Sequence, residues 1–269
     1  MKKEKSKKTI KKSIGSKSKA AVSGRDKLLT KPKKAVSGKK STGKEIEKII
    51  PSLEEMLEAG LHFGHRTSKW NAGMEPYIFT ARNNVHIIDL EKTAQKLTEG
   101  LKFLWQVKEQ KGTILFIGTK VAAKEITAQT AKDCRMPYVN ERWLGGTLTN
   151  FKVISQRLEH FRNLEERKKK GELKKYTKKE QHEFDLELQK LEGQFGGIKN
   201  LVKLPDVLLV VDVQKEKLAV KEARMKKIPI VGLCDTNADP TLVDYPIPVN
   251  DDAITSLKLI LGTIAKALK

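Results

Sequence analysis

The sequence predicts an α/β protein in which helices cover both faces of a parallel sheet. Three runs, TILFIG at 113–118, DVLLVVD at 206–212 and IPIVGLCD at 228–235, are apolar without alternation, as strands buried on both faces are. Helical patterns separate them, and alternation of strand and helix indicates parallel pairing. YVN at 138–140 and YPIPVN at 245–250 predict two shorter extended segments.

Capping residues predict where several helices begin. Ser or Thr followed three residues later by Glu is the pattern of a capping box, and Ser52 with Glu55 and Thr177 with Glu180 predict two of them. Asp89 predicts the start of a long helix that ends at about Gln110. Thr119 predicts the cap of the helix after TILFIG, and a closing helix is expected from about Asp252.

Residues 151–195 predict an antiparallel coiled-coil hairpin, inserted into an α/β domain made of 45–150 and 196–269. Its apolar residues follow the spacing of three and four that a coiled-coil seam requires, and they are Phe151, Ile154, Leu158 and Phe161, then Phe184, Leu188, Leu191 and Phe195. The region around its tip, at 166–180, is strongly basic. This charge indicates either a contact with RNA phosphates or a solvated end.

Charge is the most unusual property of the composition. The chain has 54 Lys and Arg against 33 Asp and Glu, a net charge of +21, which predicts a polyanionic partner. Residues 1–44 carry 17 basic and 2 acidic side chains and few large apolar ones, so we expect a disordered extension. It is interpreted as a phosphate-binding arm or as a solubilising tail. No apolar run is long enough to predict a membrane span, and two cysteines are too few for a disulfide scaffold.

The stretch LHFGHRTSKW at 61–70 raises three interpretations: a metal site, a catalytic site or a binding surface. A zinc site needs three or four clustered ligands. His62, His65 and the later His86 are not accompanied by a Cys-x-x-Cys or His-Glu-x-x-His spacing. Catalysis by a histidine would need a partner that the motif does not supply. The arginine and lysine that follow can bind phosphates, and Trp70 can stack on a base or anchor the loop.

Two further glycine-containing segments and several aspartates each allow a binding interpretation and a structural interpretation. LFIGTKVAAKE at 115–125 places Gly-Thr-Lys after a strand, but it lacks the glycine spacing of a phosphate-binding loop. NERWLGGTLTNF at 140–151 offers charge, a flat ring and short polar groups, either as a binding loop or as a buttressed turn. The aspartates that follow strands, including Asp212, Asp235 and the pair at 251–252, are interpreted as helix caps rather than metal ligands.

Taken in order, six segments resemble the bacterial-type small-subunit ribosomal protein S2 family. They are MLEAGLHFGHRTSKWN, YIFTARNNVHIIDLEKT, ILFIGTKVAA, YVNERWLGGTLTNF, GGIKNLVKLPDVLLVVD and DTNADPTLVDYPIPVNDDA. The resemblance implies a flavodoxin-like fold with a protruding coiled-coil hairpin and a structural, non-enzymatic role in the ribosome. It implies contacts with small-subunit rRNA and with neighbouring ribosomal proteins, including the mRNA-binding protein S1 where present. The extension at 1–44 is not part of the family core.

The resulting hypothesis is an rRNA-binding constituent of the small ribosomal subunit, cytoplasmic, with an organellar ribosome as the alternative. We expect no cofactor, no metal, no membrane and no small-molecule substrate. The residues predicted to face RNA are His65, Arg66, Lys69, Trp70, Arg82, Lys120, Arg142 and Asn150. Two rival hypotheses are an α/β enzyme that uses a nucleotide or sugar phosphate, and a free RNA chaperone driven by the N-terminal extension.

Overall fold

The structure, a computed structural model, describes residues 48–269, so the predicted extension at 1–44 lies outside the described residues. The helices are α1 (Leu53–Glu58), α2 (Leu90–Glu109), α3 (Lys124–Asp133), α4 (Phe151–Lys169), α5 (Lys178–Phe195), α6 (Lys217–Lys226) and α7 (Ile254–Leu268). The strands are β1 (Phe63–Arg66), β2 (Ile78–Arg82), β3 (Val85–Ile88), β4 (Ile114–Ile117), β5 (Tyr138–Val139), β6 (Val207–Val211), β7 (Ile230–Cys234) and β8 (Tyr245–Pro248).

Strands β4 to β8 form one parallel sheet in the order β5-β4-β6-β7-β8. Numbered along the chain, this is the order 2-1-3-4-5 of flavodoxin-like proteins. The predicted fold class is therefore confirmed, and each of the five extended segments in the sequence forms one strand of this sheet.

Both faces of the sheet are buried, and alternate residues of each strand enter opposite cores. In β4, Ile114 and Phe116 belong to a core completed by α2, α3 and α7, whereas Leu115 and Ile117 belong to a core shared with α4 and α6. All residues of β4, β6 and β7 are buried. This double burial explains why the strands are apolar without alternation.

A second sheet, which the sequence did not predict, lies in the first part of the chain. Strands β1, β3 and β2 pair in that order and all pairs are antiparallel. Asn83 and Asn84 connect β2 to β3 with positive φ angles of 51° and 61°, which suit a two-residue hairpin turn. The interpretation of 62–70 as a loop is wrong for Phe63–Arg66, which form β1.

Three of the four predicted capping residues cap their helices, and the closing helix α7 begins at Ile254, two residues after the expected Asp252. Both capping boxes form, and the Asp89 carboxylate accepts hydrogen bonds from the first turn of α2. Thr119 does not cap α3, since that helix begins at Lys124 and its N-cap, Ala123, makes no side-chain bond.

Helix α4 covers the first part of the predicted hairpin, 151–195, and helix α5 covers its last part. Their inward residues Ile154, Leu158, Phe161, Leu188 and Phe195 are buried. Coiled-coil packing between the helices, and their status as a separate insertion, remain predictions. Between residues 48 and 269 no helix is both long and apolar enough to cross a membrane.

Candidate nucleic-acid interface

His65 is held at the carboxyl ends of the parallel strands, although it belongs to the antiparallel sheet. Its Nδ1 lies 2.9 Å from Asp235 Oδ2, and its Nε2 lies 3.5 Å from Asp252 Oδ2. Its backbone N–H donates to Thr236 Oγ1. A Cβ at Gly64 would lie 2.6 Å from Thr236 Cγ2, so glycine allows β1 to approach this edge. The Asp235 carboxylate raises the pKa of His65 despite burial.

Lys120 is also engaged at this edge. Its ammonium lies 2.6 Å from both Asp251 Oδ1 and Asp252 Oδ1 and 3.4 Å from Asp212 Oδ2. Although burial opposes the charged form, these carboxylates raise the pKa of Lys120. Burial in turn raises the pKa of Asp251, with the charges of Asp212 and Asp235 nearby. The charge of Lys120 is thus matched within the protein.

Four of these side chains could hold a metal ion. Ligand atoms of His65, Asp235, Asp251 and Asp252 lie within 4.8 Å of one another. Asp251 Oδ2 is buried and accepts no hydrogen bond from the described residues. Together with Asp212 the cluster has four carboxylates and one ammonium, so either a divalent cation or a protonated His65 would reduce the excess negative charge. Asp251 and Asp252 do not cap α7, whose N-cap is Ala253 without a side-chain hydrogen bond. Asp235 accepts a hydrogen bond from the Thr236 N–H, where no helix begins. The interpretation of the strand-end aspartates as caps is wrong for these three residues.

The other two histidines considered for a metal site lie elsewhere. The His62 ring packs 3.9 Å from that of Phe63, and burial lowers the pKa of His62. The His86 ring lies 5.4 Å from that of Trp70.

The structure does not favour a nucleotide at the Gly-Thr-Lys segment. This segment lies between β4 and β6, where the strand order reverses and parallel sheets commonly bind ligands. Here the Glu216 carboxylate accepts hydrogen bonds from the backbone N–H and hydroxyl of Thr119. A carboxylate therefore occupies the donors that a phosphate would need, and Lys215 Nζ donates to Thr119 O. Burial raises the pKa of Glu216.

The segment 140–151 is a loop organised by one carboxylate, that of Glu222 on α6. The Trp143 indole donates to Glu222 Oε1 at 3.2 Å, and the Gly146 N–H donates to the same oxygen at 2.8 Å. The N–H groups of Leu148 and Thr149 and the Thr149 hydroxyl donate to Oε2. Trp143 is buried, so it anchors the loop and is not available for stacking. No sequence pattern points to Glu222, which lies 73 residues beyond Thr149 in the chain.

Burial favours the neutral form of Glu222, yet the donated hydrogen bonds lower its pKa below the ordinary value. Arg142 and Asn150, at the two ends of this loop, are exposed. The loop therefore presents polar groups on a backbone that its hydrogen bonds to Glu222 hold in place.

The remaining predicted residues lie on or next to the antiparallel sheet. Arg66 and Arg82 are both paired with Val85 across the ladder, so their side chains project from the same face. Lys69 is exposed, and Trp70 is 43% exposed. Among residues 48–269 neither arginine forms an ion pair, in contrast to Lys120.

The basic region at 166–180, predicted to surround the tip of a hairpin, is partly neutralised. Lys168 pairs with Asp185, Lys169 with Glu165 and Lys170 with Glu166, at distances of 2.8, 2.8 and 3.7 Å. Such exposed pairs contribute little stability. The lysines of this region that form no ion pair with residues 48–269 keep it positively charged.

Replacing Glu222 with Gln should destabilise the protein at pH 7. We expect the free energy of unfolding to fall by about 1–3 kcal/mol, because buried donors lose a charged acceptor. The pKa of Glu222 is lowered by folding, so its contribution is present above its ordinary value of 4.5 and is lost as the pH falls through the folded value. The difference from wild type, measured by urea unfolding, should therefore shrink below about pH 4.5. Exposed Glu183→Gln is the control, and equal stabilities at pH 7 would contradict the account.

The carboxylate cluster can be tested with Zn²⁺ as the probe. After chelator treatment, the full chain should bind one Zn²⁺ by calorimetry and gain thermal stability, because binding to the folded state shifts the unfolding equilibrium. Asp251→Asn should weaken binding by at least about tenfold, whereas Asp185→Asn, at a half-exposed carboxylate outside the cluster, should not. Absence of Zn²⁺ binding would leave a protonated His65 as the balancing charge.

Comparison with known proteins gives the family. A family model described as ribosomal protein S2 matches residues 56–269. The protein named small ribosomal subunit protein uS2 of Roseiflexus castenholzii is 52% identical over 218 residues, covering 81% of this chain and 83% of the relative. Those of Petrotoga mobilis and Picosynechococcus sp. are each 48% identical over 219 residues, covering 81% of this chain and 76% and 86% of the relatives. The chain belongs to the ribosomal protein S2 family.

Proposed function

We propose that this chain is a structural constituent of the small ribosomal subunit and binds small-subunit rRNA. The family supports the ribosomal role, since its relatives carry the name small ribosomal subunit protein uS2. The observation that carries the rRNA contact is the pair Arg66 and Arg82, which flank Val85 on one face of the antiparallel sheet. Two guanidinium groups that form no ion pair with residues 48–269 suit the phosphate backbone.

Neighbouring side chains extend this surface. Lys69 follows β1 and adds a third positive charge. Trp70 packs against His86 and keeps part of its ring exposed, which allows it to stack on an unpaired base. Arg142 and Asn150 form a second contact on the loop that Glu222 fixes.

His65 and Lys120 have a different role in this proposal. Both are bound by carboxylates, so they orient β1 and the segment after β4 instead of contacting phosphate. The same ion pairs occupy the edge at which parallel-sheet enzymes bind substrates. Ribosomal protein S2 is not an enzyme family, and the proposed role, on the ribosome of the cytoplasm, requires no catalytic chemistry.

We also propose a protein contact on the antiparallel sheet. Phe79 on β2 is 74% exposed and Phe63 on β1 is 50% exposed, an unusual exposure for large aromatic side chains. Such a surface fits a neighbouring ribosomal protein better than it fits phosphate. The mRNA-binding protein S1, where present, is the neighbour that the sequence resemblance implies.

Replacing Arg66 and Lys69 with Ala should weaken binding of the full chain to small-subunit rRNA. Each lost phosphate contact lowers the slope of log affinity against log salt by about one unit, so the slope should fall by about two. Filter binding at several salt concentrations measures it. The control pair Lys221→Ala and Lys258→Ala removes the same charge from helix surfaces. An unchanged slope in the Arg66 and Lys69 variant would remove this surface from the interface.

Replacing Phe79 with Ala should reduce the amount of S1 retained by purified small subunits, because an exposed aromatic ring at a protein contact is often a main source of affinity. Incorporation of the variant itself should be unchanged. Met225→Ala, at another exposed apolar side chain, is the matched control. Equal retention of S1 by wild-type and variant subunits would refute this contact.

A further inference from the structure

Three helices end beside the amino ends of the parallel strands, a side of the sheet called here the amino edge. Each ends with a basic residue in the left-handed conformation. These residues are Lys111 after α2, Arg135 after α3 and Lys227 after α6, with φ of 55°, 56° and 56°. Side chains other than glycine and asparagine rarely adopt this conformation, because Cβ crowds the backbone. In the described part of the chain, the other residues with positive φ are glycine, asparagine or aspartate.

The three helix ends share one hydrogen-bond pattern, and a fourth helix shows what usually occupies it. The N–H groups of Lys111, Arg135 and Lys227 donate to carbonyls three residues earlier, and the following N–H groups donate five residues back. This is the Schellman motif, in which glycine is preferred. At the end of α1 the same two bonds form, and the residue there is Gly60. The chain thus uses glycine in this motif at one helix end and basic residues at the three ends beside the amino edge.

Interaction with the helix dipole does not account for this choice. A positive charge near a helix C-terminus is favourable. However, Lys108 in α2, Lys132 in α3 and both Arg224 and Lys226 in α6 already lie in the last turn. A further basic side chain at the strained position adds little to helix stability that these residues do not provide.

The strand order brings the three residues to one surface. Arg135 precedes β5, Lys111 precedes β4 and Lys227 precedes β7, and the amino ends of parallel strands meet at one edge. With strands about 4.8 Å apart, the outer two lie about 14 Å from each other. All three are exposed and form no ion pair with residues 48–269. Each lines a depression along this edge, the largest, at Arg135, of about 900 Å³. The depression at Lys111 shares Lys203 with the one at Arg135 and Pro229 with the one at Lys227.

Acidic groups at this edge are mostly engaged. Asp206 accepts from the Thr113 N–H and pairs with Lys203, and Asp244 accepts from the Ile230 N–H. Asp133 pairs with Lys269 at 3.2 Å. Glu192 lines the largest depression as its one acidic side chain. The edge therefore keeps a positive surface around the three strained residues.

We infer that the amino edge of the sheet is a phosphate-binding surface for small-subunit rRNA, with Lys111, Arg135 and Lys227 as its contacts. The inference rests on the proposed function and adds to it a second interface, separate from the antiparallel sheet. The strained backbone at each position is retained because the side chain there contacts RNA.

Substitution by glycine separates the functional role from a structural one. In the full chain, Lys111→Gly, Arg135→Gly and Lys227→Gly together remove three charges and relieve the left-handed strain. We expect the Tm to stay equal or rise. Affinity for small-subunit rRNA should fall by about tenfold or more, and the salt slope by about three units, near one for each lost phosphate contact. Filter binding and thermal unfolding provide the two readouts.

Two matched variants complete the test. Lys111→Arg with Arg135→Lys and Lys227→Arg keeps the charges and should bind as wild type. Lys217→Ala with Lys221→Ala and Lys258→Ala removes three charges elsewhere and should change the slope by less than one unit. A glycine variant that binds as tightly as wild type, or a control that loses as much, would overturn the amino-edge interface alone. A wild-type chain that does not bind small-subunit rRNA would overturn the proposed function as well.

Discussion

Burial of both faces of the parallel sheet is the constraint that decides where this protein can contact anything. Strands β4, β6 and β7 are buried throughout, and helices cover each face. Since parallel strands need crossover connections, all strands begin at one edge and end at the other. The polar groups of the sheet itself are therefore confined to its two edges and the connecting segments, beside which the small antiparallel sheet packs.

The two edges differ in how their charges are balanced. At the carboxyl edge, the carboxylates of Asp212, Asp235, Asp251 and Asp252 surround Lys120 and His65, so both basic side chains are paired within the protein. This matching fixes β1 against the main sheet and so orients the antiparallel sheet that carries the exposed arginines. At the amino edge, Lys111, Arg135 and Lys227 form no ion pair with residues 48–269. Beyond residue 44 the net charge is only +6, so its position matters more for recognition than its amount.

Local patterns predicted much of the fold. Continuous apolar runs identified the buried strands, and the capping boxes at Ser52 and Thr177 act over three residues, so both were predictable. Distant contacts were not. His65 meets Asp235 across 170 residues, and Glu222 organises a loop more than 70 residues earlier, and no spacing signals either pairing. The strand at Phe63–Arg66 was missed because its antiparallel partners lie beyond a polar segment and its own residues are largely half-buried or exposed.

The most direct test of the ribosomal role is sedimentation of the tagged, full-length protein from its own cells through a sucrose gradient at moderate and at high salt. An integral constituent held by several phosphate and protein contacts should travel with small subunits and remain with them through the high-salt step. A protein that stays at the top of the gradient at moderate salt would contradict the assignment. One that leaves the subunit at high salt would contradict integral membership and indicate a peripheral, electrostatic association.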